Sequence, residues 1–505
     1  MMEDHAVWTV EESRAHDKMA QEMGVNLLSL METAGARAAY YLLPELKGPG
    51  LIIAGKGHNG GDALVMARHL ARYRDVQLLL PLGVPKFPGA EELLKALQNY
   101  GAKIVAQDHM ERAWNQPSWI VDGLFGTGFH GNVEDGFITQ LWKRLSQTEN
   151  VVYALDILSG IDANSGSYML EPVYAHKTLT FGAAKWGHFG YPGSRFSGQL
   201  VILDIGLPDL GPSSGQWIDP LWAKAHIPPR DFYAHKYRRG RVAVIGGSAS
   251  MPGAPVLAGL AALKTGAGLV ELFVPSGIVH RVQAPTPLLV RGVGEGGNMV
   301  LRGEDVEALK RADVVIIGPG LGTGVSPALL ETVMTLGKPL VIDADALALL
   351  KEIAAGPLPE GTVLTPHSGE MARLLGITAD AVDAFRYQSV KQAVDRYRAC
   401  VVLKGPYSLV ASERIFVNTA NTPALATAGS GDVLSGVIAA LLAGRYPKDV
   451  TEMTAFATYL HGWAGIHAER DQGPSVIATD IIAALGQAWN SIVREERPPL
   501  LPESF

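Results

Sequence analysis

The sequence predicts an α/β protein built twice over. Short apolar runs alternate with longer stretches of helical periodicity almost throughout, several of those runs end in glycine loops or carboxylates, and one Pro- and Gly-rich interruption at residues 206–229 separates two such series. At roughly 150 residues per domain, 505 residues allow about three domains or two large ones. Hydrophobic residues at 47% and charged residues at 18% exclude a disordered chain. Lys and Arg number 43 against 50 Asp and Glu, and a net charge of -7 on so long a chain leaves no footprint for nucleic acid or membrane headgroups. Small anionic ligands fit better. A lone cysteine, Cys400, can form no internal disulfide or thiolate cluster, so a reducing, cytoplasmic setting is expected, with Cys400 a buried small hydrophobe at the start of a strand. Met1-Met2-Glu3-Asp4 opens without a basic or apolar leader, and no apolar run approaches the roughly 18 residues that span a bilayer.

Taken in order, the first series of strands is expected at 51–54, 76–80, 119–121, 151–155, 177–181 and 200–204. Residues 206–229 read as turns that sustain neither ladder nor helix, which places a domain boundary between 1–215 and 216–505. The second series follows at 241–245, 270–274, 314–317, 340–342, 363–364 and 400–403.

In the first half, Leu51-Ile52-Ile53-Ala54 runs into Gly55-Lys56-Gly57-His58-Asn59-Gly60-Gly61-Asp62, and a helical pattern follows from Ala63 to Arg74. Strand, glycine loop and helix start together make an anion cradle, since glycine lets the backbone approach and the first helical turn offers free N–H groups. A dinucleotide fingerprint would also want an acid at the end of the second strand, where the sequence has Leu80-Pro81-Leu82-Gly83. Two later strands end in carboxylates, Asp122 and Asp156, in the crevice beyond the strands' carboxyl ends where α/β sheets bind ligands. Each could instead close a turn or cap a helix. After Asp122 comes a flexible loop, Gly126-Thr127-Gly128-Phe129-His130-Gly131-Asn132.

Gly57 to Asp62, Val121-Asp122-Gly123-Leu124-Phe125-Gly126-Thr127-Gly128 and Leu155-Asp156-Ile157-Leu158-Ser159-Gly160 resemble the N-terminal epimerase domain of the bifunctional NAD(P)H-hydrate repair enzymes. The resemblance implies a Rossmann-like three-layer fold and interconversion of the R and S forms of NADHX and NADPHX. It implies substrate contacts from His58-Asn59-Gly60-Gly61-Asp62, from Gly126 to Asn132 and from Asp156, with Asp156 catalytic. It also implies K⁺ held by Asn59, Asp122 and Ser159, whose amide, carboxylate and hydroxyl oxygens suit a hard cation. The chain departs from the family at His58, Ala63 and Leu158, where Asn, Gly and Pro are usual.

The second half carries the sharpest motif, Thr422-Pro423-Ala424-Leu425-Ala426-Thr427-Ala428-Gly429-Ser430-Gly431-Asp432, ahead of an apolar helix from Val433 to Leu442. Backbone N–H groups gathered at a helix start beside a carboxylate suit phosphoryl transfer: the amides stabilise developing charge, and Asp432 accepts the proton of an attacking hydroxyl. The plainer alternative makes Asp432 an ordinary helix-start acid. Other strand-end loops stand around it: Gly318-Pro319-Gly320-Leu321-Gly322, Asp343-Ala344-Asp345 before a helix near Ala346, Thr365-Pro366-His367-Ser368-Gly369-Glu370 before a helix carrying Met371 to Leu375, and Lys404-Gly405. His367 could be a satisfied turn histidine, Lys404 a solvated lysine, and either aspartate a cap.

Together these motifs resemble the ribokinase-like fold, and within it the ADP-dependent NAD(P)H-hydrate dehydratases. By that resemblance Gly322, His367-Ser368-Gly369-Glu370-Met371-Ala372-Arg373 and Asp432 contact the hydrated dinucleotide. Lys404-Gly405-Pro406-Tyr407-Ser408 and Thr422 to Gly431 hold the adenine nucleotide, ADP or ATP, with Mg²⁺. Tyr237 and Ser368 stand where the family has Gly and Pro. Phosphorylation would convert a poor leaving group, hydroxide, into phosphate, whose elimination restores the reduced ring. Homo-oligomeric assembly, with no nucleic-acid or membrane partner, is expected. Two alternatives stay open: a ribokinase-like small-molecule kinase, and a non-catalytic N-terminal binding module.

Overall fold

In the computed structural model, which describes residues 5–505 except 106–113, 115–116, 130–135, 171–172, 230–231, 286, 354–355, 445 and 447–448, the chain divides into two units. The first comprises Met1–Gln216 with Leu501–Phe505, the second Trp217–Leu500.

The first unit is built on eight parallel strands in the order Glu503–Ser504, Gln199–Leu203, Lys177–Phe181, Val151–Leu155, Trp119–Gly123, Gly50–Ala54, Val76–Leu79 and Lys103–Val105. Gly50–Ala54, Trp119–Gly123 and Lys177–Phe181 are buried along their whole length, because helices cover both faces of the sheet. One apolar layer gathers Ile52, Val121, Leu155 and Leu179 with the helices Leu27–Leu42 and His58–Leu70. The opposite layer gathers Ile53, Ile120, Val152 and Ala154 with Gly136–Ser146. From Gly50–Ala54 the chain builds outward in one direction and from Trp119–Gly123 in the other, which makes the junction of these two strands the topological switch point.

The second unit repeats the logic. Seven parallel strands run Leu289–Val293, Leu269–Pro275, Arg241–Ile245, Val314–Ile317, Leu340–Ile342, Val363–Leu364 and Cys400–Leu403, and the antiparallel pair Leu409–Ala411 and Ile415–Val417 continues the sheet. Helices Ala254–Thr265, Ser430–Ala443, Val450–Gln472 and Ala478–Val493 share one core with Val242, Val244, Val314, Ile316 and Val402. The switch point lies between Arg241–Ile245 and Val314–Ile317. Among the described residues no helix is long and apolar enough to cross a membrane. Cys400 is free and buried, and burial pushes its thiol up to about 12.

Three sequence expectations need correction. The segment 206–229 is not all turn: Gly215–Trp217 is a strand, and Pro220–Ala225 is a short helix with Pro220 in its first turn and Asp219 Oδ1 accepting from Trp222 N at 2.6 Å. The helix after the first glycine loop begins at His58, not Ala63, and ends at Leu70. The helix after the second motif begins at Ser430 rather than Val433. In both helices residues read as loop form the first turn.

Candidate active sites at the carboxyl ends of the two sheets

At the first switch point the backbone packs so closely that a Cβ on Gly55 would meet Leu124 O at 1.7 Å and one on Gly60 would meet Gly55 O at 1.9 Å. Glycine is required here for that approach. Gly60, Gly61 and Asp62 are therefore buried in the first helical turn, with His58 exposed at its start. Asn59 donates through Nδ2 to Phe125 O at 2.9 Å and Leu155 O at 3.1 Å, while its Oδ1 is buried and has no hydrogen-bond partner among the described residues.

Asp122 is fully buried and accepts at Oδ2 from Ser159 N at 2.8 Å, and at Oδ1 from Ser159 Oγ at 2.6 Å and Leu124 N at 3.1 Å. Burial lifts its carboxyl to about 6, against the pull of those donors. Ser159 Oγ also accepts from Phe125 N at 2.8 Å, so Asn59, Asp122 and Ser159 converge on one turn. Leu158 is 1% exposed and packs in the core.

Asp156 lies one residue beyond its strand with φ +61, a left-handed conformation unusual for a residue with a side chain. Its Oδ1 accepts from Lys185 Nζ at 2.8 Å and Thr180 Oγ1 at 3.2 Å, and its Oδ2 from Thr127 N at 3.3 Å. Burial alone would raise this carboxyl, but the Lys185 ammonium overcomes it and holds the group below its ordinary value. Asp62 goes the other way, pushed well up by burial and then by the charges of Asp156 and Asp17. A Cβ on Gly126 would stand 3.0 Å from Asn59 Cβ and 3.3 Å from Asp156 Oδ2, which brings Asn59, Gly126 and Asp156 to one place. Phe129 stacks on Phe125 at 4.1 Å between ring centres, and Gly128 is exposed. His130, Gly131 and Asn132 lie outside the described residues.

In the second unit every candidate loop leaves the carboxyl edge of the sheet. Gly318 follows Val314–Ile317, Asp343 follows Leu340–Ile342, His367 comes three residues after Val363–Leu364, and Lys404 follows Cys400–Leu403. Lys404 Nζ donates to Asp343 Oδ1 at 3.0 Å and lies 3.7 Å from Glu370 Oε2. Burial would lower this ammonium, but Asp343 and then Glu370 raise it, so it stays charged. Asp343 accepts a further bond at Oδ2 from Ser435 Oγ at 2.6 Å, which ties the strand end to the helix Ser430–Ala443. That helix starts from Gly429 with φ +85, where a Cβ would also press on Leu257 at 2.6 Å. A Cβ on Gly431 would lie 3.3 Å from Lys404 Nζ. Ser430 N is taken by Thr427 O at 3.3 Å and Val433 N by Gly429 O at 3.1 Å, whereas the amides of Gly431 and Asp432 have no carbonyl four residues back within the helix and can meet an anion. Burial raises the Asp432 carboxyl to about 7, the charge of Asp343 adds to the rise, and Lys404 offsets part of it.

The other candidates are placed as follows. Gly322 N donates to Asp345 Oδ2 at 2.8 Å. His367 caps the helix Ser368–Leu375, accepting at Nδ1 from Gly369 N at 3.0 Å and donating its own N–H to Glu370 Oε2 at 2.8 Å. Glu370, Met371 and Ala372 are buried and Arg373 is exposed. Ser368 Oγ donates to Asp383 Oδ1 at 2.5 Å, a bond that proline could not make. Gly405 and Pro406 are exposed, Tyr407 N donates to Asn421 Oδ1 at 3.1 Å, and Ser408 Oγ donates to Gly405 O at 2.9 Å. Thr422 caps the short turn Pro423–Leu425 and bonds Glu469; Ala426 and Ala428 are exposed, and Thr427 O accepts from Ser430 N at 3.3 Å. Tyr237 lies against the Arg241 guanidinium, 4.3 Å from ring centre to Cζ.

Sequence reasoning missed Lys185, Thr180 and His188 around Asp156, and His461, whose Nε2 lies 3.4 Å from Ser430 Oγ. Only contact across the fold reveals them.

Two clusters of buried carboxylates and ammonium groups, each at the carboxyl edge of a parallel sheet, mark a two-unit α/β enzyme. A family model described as NAD(P)H-hydrate dehydratase matches residues 242–487, and one described as YjeF-related protein N-terminus matches residues 27–187. The chain is 33% identical to a bifunctional NAD(P)H-hydrate repair enzyme of Moorella thermoacetica, over 96% of this chain and 97% of that one. It is also 33% identical to the enzyme of the same name in Coxiella burnetii, over 94% and 97%. A solved structure, a hypothetical protein of Streptococcus mutans, is 27% identical and covers 55% of this chain and 100% of its own, with a TM-score of 0.50. The chain belongs to the bifunctional NAD(P)H-hydrate repair enzyme family.

Proposed function

We propose that residues 1–215 interconvert the R and S forms of NADHX and NADPHX, and that residues 216–505 dehydrate the S form to NAD(P)H with an adenine nucleotide, releasing phosphate and, from ADP, AMP. Family membership supports both halves. The observation that carries the second is Asp432: a carboxyl raised to about 7, in the first turn of a helix that leaves the Gly431 and Asp432 amides without a helical carbonyl, is a base suited to neutral pH beside a phosphoryl-binding cradle.

In this reading the substrate hydroxyl gives its proton to Asp432 as its oxygen attacks the terminal phosphoryl group of the nucleotide. The amides of residues 428–431 take up the developing charge. Phosphate then leaves with the C–O electron pair, the neighbouring ring carbon gives up a proton to solvent, and that C–H electron pair becomes the restored ring double bond. Gly405 to Ser408 and Thr422 to Ala428 are the nucleotide side of the site, and Gly322, His367 and Arg373 the dinucleotide side. Lys404, locked to Asp343, contributes a fixed positive charge. Mg²⁺ bound with the nucleotide would neutralise charge on its phosphates.

In the first half Asp156 is the catalytic carboxylate, and Asp62 and the loop from Gly126 hold the substrate. A potassium ion fits beside them. Asn59 Oδ1 is a buried oxygen that lacks a partner among the described residues, the Asn59 amide and the Ser159 hydroxyl meet at Phe125 O, and Ser159 is bonded to the Asp122 carboxylate, so the three offer an all-oxygen donor set. Bound K⁺ would supply a fixed positive charge there. A cytoplasmic setting and homo-oligomeric assembly belong to the same proposal.

The test is to incubate the protein with racemic NADHX, Mg²⁺, K⁺ and either nucleotide, and to follow reduced-nicotinamide absorbance with AMP and free phosphate. Complete recovery of NADH, with one AMP and one phosphate per turnover from ADP, is expected. Recovery that stops at the S half removes the epimerase reading, and a stable phosphorylated product without free phosphate marks a simple kinase.

A further inference from the structure

We propose that Lys185 and His188 are the positioning residues of the first site, holding the Asp156 carboxylate in one charge state and one orientation; this rests on reading that site as the epimerisation site. Lys185 is 1% exposed. Its ammonium donates to Asp156 Oδ1 at 2.8 Å, Thr180 Oγ1 at 2.8 Å and Phe181 O at 2.9 Å. Three N–H donors meet three acceptors, so no hydrogen is left for a ligand and Lys185 acts only through Asp156. Of the carboxylate's two oxygens, Oδ1 is locked by Lys185 and Thr180, whereas Oδ2 lies beside Gly126 and, among the described residues, holds one longer bond, from Thr127 N at 3.3 Å. Oδ2 is the oxygen assigned to the substrate.

His188 secures the backbone. Its Nδ1 accepts from Lys185 N at 3.0 Å, which leaves the hydrogen on Nε2, and Nε2 donates to Asp156 O at 3.0 Å. The imidazole thus joins the amide of Lys185 to the carbonyl of Asp156, while the Lys185 side chain joins the same two residues a second time. Such a double tie suits a residue held at φ +61, a conformation that persists only where neighbours over-determine it. Asp62 and Asp17 also face this group, and His58 and His16 reach it through Asp17, so Lys185 is the buried cation that balances three carboxyls. Burial and the nearby ammonium press His188 down to about 4, which keeps it neutral in the tautomer the tie requires.

The experiment measures R-to-S interconversion by the full chain without nucleotide from pH 4.5 to 9, with dehydration of the S form as the control for folding. The parent should interconvert at a rate that does not fall between pH 8 and pH 5. Lys185→Met should lower kcat at least about tenfold and bring an acid limb into that range, a shift of about 1–3 pH units. His188→Leu should lower kcat, and His188→Gln, which can still donate to Asp156 O, should recover part of it. A parent with an acid limb between pH 5 and 7, a Lys185→Met profile with an unmoved limb, or equal loss in both His188 variants would overturn the proposal. A parent that does not interconvert the epimers at any pH would instead refute the epimerase reading itself.

Discussion

Asp432→Asn separates a base from a helix-start acid. In the parent the carboxyl is raised from 3.8 to about 7, first by burial and then by Asp343. Dehydration limited by its ionised form should therefore run at about half its maximum at pH 7 and about a tenth at pH 6, falling tenfold per unit below that. Asparagine is close in shape and cannot take a proton, so the variant should lose about 10²- to 10⁴-fold in rate, with no acid limb near 7. Stability moves in the opposite sense. Because the folded-state value lies above the unfolded one, the folded chain keeps a proton that the unfolded chain releases, and stability drops as pH rises from about 4 to 7. Asparagine escapes that loss. The variant should melt above the parent at pH 8, and the gap should close near pH 4. NADH recovery from S-NADHX at several pH values, with thermal melts at the two extremes, reads both effects. A variant within about threefold of parent activity and with an unchanged melting temperature would reduce Asp432 to a helix-start acid.

Asp156→Asn should abolish R-to-S interconversion by at least about 10²-fold while dehydration of the S form is unchanged, as coupled assays with each purified epimer would show; parent-like conversion of the R form makes Asp156 a turn residue. Residues 1–216 and 217–500, expressed apart, should each fold. The first should melt lower without Leu501–Phe505, since that segment supplies the bonds of Phe505 N to Ile202 O and Asp204 N to Phe505 O, and Glu503 accepts from Tyr41 and Gln199, a loss of about 1–3 kcal/mol. Equal melting of fragments with and without the segment refutes its role. Exchange of K⁺ for a large organic cation should slow interconversion and leave dehydration untouched; equal rates would remove the ion from the first site.

The buried parallel strands were the most legible part of the chain. Val314–Ile317 and Gly50–Ala54 are covered on both faces, so their sequences read as apolar runs bounded by breakers. Ala6–Trp8, Lys103–Val105 and Glu503–Ser504 escaped notice because two- or three-residue strands are set by their partners and carry little pattern of their own. The early starts at His58 and Ser430 were hidden by glycines, which signal a loop in sequence yet serve here for close packing inside a first helical turn. Loop motifs revealed Asp122, Asp156 and Asp432 because glycine neighbours mark strand ends. Their partners did not show. Lys185 is 29 residues from Asp156 and Lys404 is 61 from Asp343, and neither spacing carries a local signal.

In the proposed reading those partners let one residue type serve two chemistries. Asp156 and Asp432 both sit at the carboxyl edge of a parallel sheet, and burial pushes both carboxyls upward. At Asp156 the Lys185 ammonium is in direct contact at 2.8 Å and wins, which leaves a carboxylate ionised at any neutral pH. At Asp432 the nearby ammonium belongs instead to Asp343, 3.0 Å away, so burial wins and the carboxyl titrates near 7. The first is suited to hold a ligand through a fixed charge, the second to accept a proton and release it each turnover. In the proposed reading the placement of the cation, on the aspartate itself or on its neighbour, makes that difference, and Asp343 is therefore as much a part of the proposed dehydration site as Asp432.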